Sequence, residues 1–314
     1  IIEVLENKNF PADNLYLVAS SKSAGSKLKF KGKEIKVENL ETFDFSKGNI
    51  TFFSAGGKIS EKYAPLAAKH STVIDNSSHF RMDPDVPLIV PQVNSNDLKN
   101  IKKNIIANPN CSTSQLVIVL KPLHDLFVIN RIDVTTFQAV SGSGKLAQDE
   151  LVTQIGQVLK GETPSLNIYN KQIAFNALPH CGDFEENSYT QEEMKMVWET
   201  HRILDPNIEV GATCVRVPIA NGHSESVHVE TRELINIDTV IECLSEAEGI
   251  NLIQGKDSES YVTAAEVNGT DLVHVGRLRM DLWSNNRLNL WVVADNLRKG
   301  AALNSIQIAE ILFT

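Results

Sequence analysis

Short apolar runs alternate with helical stretches through the first third of the chain, and this alternation limits the fold more than any other feature. Leu15-Tyr16-Leu17-Val18-Ala19, Ile50-Thr51-Phe52-Phe53 and Thr72-Val73-Ile74 read as strands, with a helix near Glu61 to Lys69 between the last two. Strands separated by helices pair in parallel, because a crossover must return the chain to the same end of the sheet. The expected fold is α/β and opens with a Rossmann-type dinucleotide-binding domain. Ile1 to Glu6 reads as the end of an amphipathic helix stopped by Asn7-Lys8-Asn9-Phe10-Pro11, so a strand and the glycine-rich pyrophosphate loop are expected ahead of residue 1. After the first strand, Ser20-Ser21-Lys22-Ser23-Ala24-Gly25 has no carboxylate to accept from a ribose 2′-hydroxyl; its hydroxyls and cation suit a 2′-phosphate and favour NADP, although a solvated basic loop would look the same.

Near residue 109 the pattern changes to a helix, a long strand from Arg131 to Val140, a helix from Lys145 to Leu159, a charged helix from Glu192 to Leu204, and further strands. This suggests a second, α+β domain whose sheet is covered on one face. The apolar helix from Leu297 to Leu312 is expected to return to the first domain, which gives residues 1–108 plus 297–314 and residues 109–296 as the two domains. The 314 residues, 42% apolar and 22% charged, suffice for two cores. A net charge of -9 argues against nucleic acid and anionic membranes as partners. No apolar run nears the roughly 18 residues of a membrane span, and a cytoplasmic location is expected. Four dispersed cysteines without a Cys-x-x-Cys give neither a metal site nor a disulfide framework.

The chemistry centres on Ala107-Asn108-Pro109-Asn110-Cys111, where a loop turns into the apolar helix Leu116 to Leu120, expected to kink or end near Pro122. The unpaired N–H groups and dipole of a helix start favour a thiolate and could receive an oxyanion. Cys181, Cys214 and Cys243 read as small apolar residues. A base is offered by Val215-Arg216-Val217-Pro218-Ile219-Ala220-Asn221-Gly222-His223. If Asn221-Gly222 closes a two-residue hairpin, Arg216 pairs with Val227 and points to the same face as His223. His223 could move a proton there and Arg216 hold a carboxylate. Thr190-Gln191-Glu192-Glu193 reads as a capping box and sets Glu192 and Lys195 on one helix face, where a surface ion pair is the commoner outcome. Arg81 follows a strand, in the kind of loop where phosphate sites collect. Ser141-Gly142-Ser143-Gly144-Lys145 lacks the first Gly and the hydroxyl after Lys that a P-loop requires, so an NTPase is excluded.

Asn108-Pro109-Asn110-Cys111, Gln138-Ala139-Val140-Ser141-Gly142-Ser143-Gly144, Glu192-Glu193-Met194-Lys195, Arg216 through His223, and Asp295-Asn296-Leu297 resemble, in order and over most of the chain, the signatures of bacterial aspartate-semialdehyde dehydrogenases. The resemblance implies a catalytic and dimerisation domain of the glyceraldehyde-3-phosphate dehydrogenase-like type and a homodimer or homotetramer. It makes Cys111 the acyl-thioester nucleophile, His223 the general acid/base and Gln138 the residue that orients the substrate. Arg216 falls on the substrate carboxylate and Glu192 on its ammonium. Arg81, Lys195 and Asn110 fall on the phosphate, and Lys22, Ser23, Ser141, Gly142 and Asn296 on NADP. Lys22 departs from the Arg of many relatives and would grip a 2′-phosphate less geometrically. The implied reaction is reversible, NADP-dependent reductive dephosphorylation of L-aspartyl-4-phosphate to the 4-semialdehyde, in lysine (diaminopimelate), methionine and threonine biosynthesis. A reductase of N-acetyl-γ-glutamyl phosphate is the enzymatic alternative, disfavoured by Glu192 because that substrate has no free ammonium. A non-catalytic dimeric fragment or paralogue is the other. The absent glycine loop leads one to expect weak activity from this 314-residue piece alone.

Overall fold

The computed structural model describes residues 1–255, 257 and 259–313. The chain divides into two compact units, one of Ile1–Pro91, Ser95–Asn108 and Ala302–Thr314, the other of Gln92–Asn94 and Pro109–Ala301. The first unit holds α1 (Ile2–Asn7), β1 (Leu17–Ala19), β2 (Lys27–Phe30), β3 (Lys33–Asn39), β4 (Ile50–Phe53), α2 (Gly57–Ala67), β5 (Thr72–Asp75), the start of α3 (Pro91–Asn94) and β6 (Ile105–Ala107). β4, β5 and β6 pair in parallel, as the alternation predicts, and β1 runs parallel to β3. β2 and β3 form a hairpin closed by Lys31 and Gly32, both at positive φ, the backbone that matches strand twist. The core gathers Phe10, Ile74, Ile89 and Ile106 with Leu303, Ile306 and Ala309 of the closing helix Leu303–Phe313. That helix starts later than its apolar pattern indicates, because Arg298–Ala302 forms a π-helical turn before it.

The second unit contains α4 (Cys111–Phe127), β7 (Ile129–Gln138), α5 (Lys145–Leu159), α6 (Gln191–Ile203), β8 (Glu209–Arg216), β9 (His223–Thr231), α7 (Ile237–Glu246), β10 (Ile250–Leu252), β11 (Val273–Met280) and β12 (Arg287–Ala294). Its sheet has the order β10-β11-β12-β9-β7-β8. Alternate residues on the central strands are buried, among them Ile132, Val134, Thr136 and Gln138 on β7 and Leu288, Leu290, Val292 and Ala294 on β12. This face packs under α4; Asp133, Thr135, Ser226 and Asn289 alternate onto the other, less buried one. No helix among the described residues is long and apolar enough to cross a membrane.

Two local expectations are corrected. α4 runs through Pro122 to Phe127, since Leu123 and Phe127 continue its buried stripe and their packing outweighs the hydrogen bond that Pro122 cannot donate. The hairpin at Asn221-Gly222 does not form: β7 lies between β8 and β9, parallel to the first and antiparallel to the second. Residues 217–222 instead strap across the end of β7, where Val217 N–H bonds the Gln138 carbonyl and Ala220 accepts from Ser141 N–H. Gly222 belongs to that crossing, with φ +89° and a position where a Cβ would lie 2.7 Å from the Ala264 carbonyl oxygen.

Candidate active site

Cys111 is the first residue of α4 and partly exposed. Asn110 caps the helix, its Oδ1 accepting from Ser112 and Thr113 N–H at 2.9 and 3.2 Å. The Asn110 N–H donates to Glu199 Oε2 at 2.6 Å and its Nδ2 to Glu192 Oε1 at 2.8 Å. Both carboxylates come from α6, whose own start is the capping box read from the sequence, Thr190 with Glu193. Glu192 also accepts from Lys195 Nζ at 3.2 Å, and with its side chain only 12% exposed this is no surface pair. Burial pushes the Glu192 carboxyl up, but Lys195, the Asn110 amide and Arg216 outweigh it and hold it below the usual carboxylate range. Glu199, fully buried, is a member of the site that sequence reasoning missed. The spacing Glu192, Lys195, Glu199 was the available signal, since residues three and four apart share a helix face.

The same-face relation of Arg216 and His223 holds by a different route from the hairpin. Gln138 pairs with Arg216 across β7 and β8, and Phe137 pairs with Ser224 across β7 and β9, so Arg216, Gln138 and His223 form one row facing α4. Gln138 Nε2 donates to Ser112 Oγ at 3.1 Å and approaches Glu192 Oε1 at 3.4 Å, which ties the row to the first turn of α4. The backbone of Ala139 serves both outer members: its carbonyl accepts from Arg216 Nη1 at 2.7 Å, and its N–H donates to His223 Nδ1 at 3.1 Å. With Nδ1 accepting, the neutral imidazole carries its proton on Nε2. That Nε2 and Arg216 Nε are both buried without a hydrogen-bond partner among the described residues. Burial, then the Arg216 charge, push the fully buried His223 down to about 3, so it is neutral near pH 7. At Gly142 a Cβ would lie 2.9 Å from Arg216 Nη1 and 3.3 Å from His223 Nε2, so the absence of a side chain lets this turn pack closely against both heads.

Gly142 belongs to the 3-10 turn Val140–Ser143 after β7. There Ser141 Oγ pairs with the Asn296 amide, whose Oδ1 accepts from Gly222 N–H at 2.9 Å, next to His223. The structure thus brings Asn110, Cys111, Gln138, Ser141, Gly142, Glu192, Lys195, Arg216, His223 and Asn296 into one connected set within the second unit. Lys22, Ser23 and Arg81 belong to the first unit. Lys22 and Ser23 are exposed in the turn after β1. Arg81 is buried after β5 and donates from Nε to the Asn108 carbonyl at 2.9 Å and from Nη2 to that of Asn76 at 3.0 Å, so it braces the loop that leads into Cys111. Burial pushes Cys181 up to about 11 and raises Cys214 and Cys243 too, in keeping with their reading as apolar residues.

Two family models match the chain, "Semialdehyde dehydrogenase, NAD binding domain" over residues 1–101 and "Semialdehyde dehydrogenase, dimerisation domain" over residues 120–299. The chain is 50% identical over 315 residues to aspartate-semialdehyde dehydrogenase 2 of Vibrio cholerae, covering 99% of this chain and 93% of that protein. It is 52% identical over 316 residues to the aspartate-semialdehyde dehydrogenase of Shewanella sp. (strain DB6705), with the same two coverages, 99% and 93%. A crystal structure of aspartate semialdehyde dehydrogenase II from Vibrio cholerae, complexed with ASA, matches with a TM-score of 0.97 at 50% identity over 99% of this chain and 93% of that one.

Proposed function

The chain belongs to the aspartate-semialdehyde dehydrogenases, and from that premise we propose how its residues carry the reaction. The enzyme interconverts L-aspartyl-4-phosphate and L-aspartate-4-semialdehyde with a nicotinamide cofactor, in amino-acid biosynthesis. One observation carries the residue assignment: the capped helix start at Cys111 is wired to the Arg216–Gln138–His223 row, in which two buried donors, Arg216 Nε and His223 Nε2, stand without partners among the described residues. A carboxylate and a developing alkoxide are the acceptors such donors lack.

In the oxidative direction the Cys111 thiolate attacks the aldehyde carbon and the carbonyl electron pair moves onto oxygen. His223 Nε2–H donates to that oxygen, the first half of its role as general acid/base; an anionic substrate beside it opposes the forces that hold its pKa down. Gln138 orients the adduct, Arg216 takes the α-carboxylate and Glu192 the α-ammonium. Ser141, Gly142 and Asn296, with Lys22 and Ser23 at the 2′-phosphate, suit NADP, since Ser141 and Asn296 offer a hydroxyl and an amide and the β1 loop a cation and hydroxyls. As the electron pair on that oxygen returns to form C=O, the C–H bond breaks and the adduct becomes the Cys111 thioester; the cofactor, when bound, would supply the acceptor for the departing hydride. Phosphate, held by Arg81, Lys195 and the second Nδ2 proton of Asn110, then attacks the Cys111 thioester; collapse of the adduct expels the thiolate and releases aspartyl phosphate. Glu192 and the names of the relatives disfavour the N-acetyl-γ-glutamyl phosphate reductase reading.

We place the second copy of a homodimer on the less buried sheet face, where Phe137 and Trp291 pair at 5.6 Å among polar residues. The functional test is phosphate-dependent NADPH formation from aspartate semialdehyde. Turnover that requires phosphate, prefers NADP over NAD and is abolished by Cys111→Ala is expected. Undiminished turnover by Cys111→Ala, or turnover indifferent to phosphate, would refute the thioester route.

A further inference from the structure

Two residues deeper than the Arg216–Gln138–His223 row lies a second row on the same face, Cys214, Thr136, Glu225 and Val292 on β8, β7, β9 and β12. Nothing in the reaction uses it. Glu225 is fully buried, and neither of its carboxyl oxygens has a hydrogen-bond partner among the described residues. Its neighbour is Gln115, one helical turn after Cys111 on α4, whose Oε1 also lacks a partner and whose Nε2 donates to the His223 carbonyl at 3.3 Å. Buried acceptors left without a hydrogen bond are costly in a protein interior, and the unpartnered Thr136 hydroxyl opposite Glu225 can serve only one of these three oxygens. A single proton resolves the conflict, because a carboxylic acid can donate to the amide oxygen.

Among the described residues no cation does the same work. β12 turns only apolar residues to this face, and β7 adds only Thr136 and Gln138 as polar ones. On the side of the packed elements that faces this row, the titratable and charged groups are His223 on β9, Cys214 and Arg216 on β8, Glu192, Glu193, Lys195 and Glu199 on α6, and, on α4, Cys111 at the start with Lys121, His124 and Asp125 in the last two turns. None supplies a charge that favours ionised Glu225: burial pushes its carboxyl far above the usual range, and only the Gln115 amide pulls the other way.

We propose that Glu225 is a neutral carboxylic acid in the working enzyme, donating to the Gln115 side-chain oxygen, and that this pair positions His223 by holding its main-chain carbonyl. The proposal rests on His223 as the acid/base group. The pair has two states. Protonated Glu225 takes the Gln115 oxygen and leaves its N–H groups for His223; ionised Glu225 competes for those N–H groups and releases the His223 carbonyl. Glu225 is thus a positioning residue, and its effect falls on kcat rather than KM.

The test compares wild type, Glu225→Gln and Gln115→Leu. Glu225→Gln keeps a neutral donor toward Gln115, so it retains wild-type kcat at pH 7 and escapes the reversible alkaline fall in kcat expected of wild type. Without substrate, the infrared difference spectrum of wild type minus Glu225→Gln at pH 7 contains the C=O stretch of a protonated carboxylic acid. A raised native pKa means the unfolded chain loses its proton first as pH rises. The wild-type folding constant therefore falls relative to the variant by about tenfold per pH unit above the ordinary Glu value of 4.5, until Glu225 itself ionises. Gln115→Leu loses about tenfold in kcat with KM little changed. Absence of the infrared band, or parallel stability profiles, overturns the protonated state, and unchanged kcat in Gln115→Leu overturns the positioning role. The spectrum and the unfolding data need no substrate, so they stand apart from any failure of the substrate assignment.

Discussion

At Gly300 it is space, not backbone conformation, that dictates the residue. Its φ lies outside the left-handed region, yet a Cβ there would sit 2.5 Å from Cys111 Cβ and 2.9 Å from Cys111 Cα. Neither side can give way easily. The Gly300 segment is pinned by Asn296 to Gly222 and by Lys299 Nζ to Gln92 Oε1 at 2.6 Å, while Asn110 fixes Cys111. Gly300→Ala is therefore expected to displace the nucleophile and lower kcat by about 100-fold, the cost of roughly 1 Å of misplacement, with a smaller change in KM. Steady-state kinetics beside Gly156→Ala checks this. Gly156 lies in α5 with nothing within 4 Å of an added Cβ, so that variant gains about 0.5–1 kcal/mol of stability and keeps full activity. Equal activity of the two variants would remove Gly300 from the site. The buried titratable pair behaves in opposite senses. For His223, whose native pKa is depressed, the unfolded chain takes up its proton first, and stability falls as pH drops from 6.5 toward about 3. Glu225 erodes stability as pH rises above 4.5, so between 4.5 and 6.5 the two slopes cancel.

Among the elements, α4 depends most on a single side chain. Asn110→Ala removes the cap of a 17-residue helix, worth about 1–2 kcal/mol, and takes a hydrogen bond from the buried Glu192. A lower thermal midpoint together with weaker substrate binding is expected; a drop in midpoint with unaltered KM would separate the cap from the site. The start of α4 was legible because Asn-Cys-Ser-Thr before an apolar run is a local signal. The capping box of α6 was legible for the same reason. Asn221-Gly222 misled because a hairpin signal is local whereas strand order is not: β7 takes the place between β8 and β9 by pairing with both along its length, and nothing within residues 209–231 encodes that. Glu225 and Gln115 were invisible in sequence because each is ordinary by itself, and only the sheet register sets the carboxyl below His223. Gly300 was hidden too, since its neighbour Cys111 is remote in sequence.

For the whole molecule, the proposed dimer makes the strongest demand. A six-stranded sheet with helices on one side leaves a face on which Phe137 and Trp291 are only partly covered, along with Thr135, Ser226 and His228. Trp291→Glu is expected to shift the protein toward monomers in sedimentation analysis while the first unit's parallel sheet remains intact; an unshifted dimer would place the interface elsewhere. The family-scale reading was legible because its motifs are spread along most of the chain, each tied to an element start or end. The two offices of Ala139 carry a further implication. A side chain can be exchanged by one base change, but the carbonyl and N–H that hold Arg216 and His223 are present in every residue except proline, which lacks only the second. The relative bearing of the two catalytic heads is consequently shielded from mutational drift, and a scan of alanine substitutions would report nothing at the position that sets it; an amide-to-ester replacement in the backbone would.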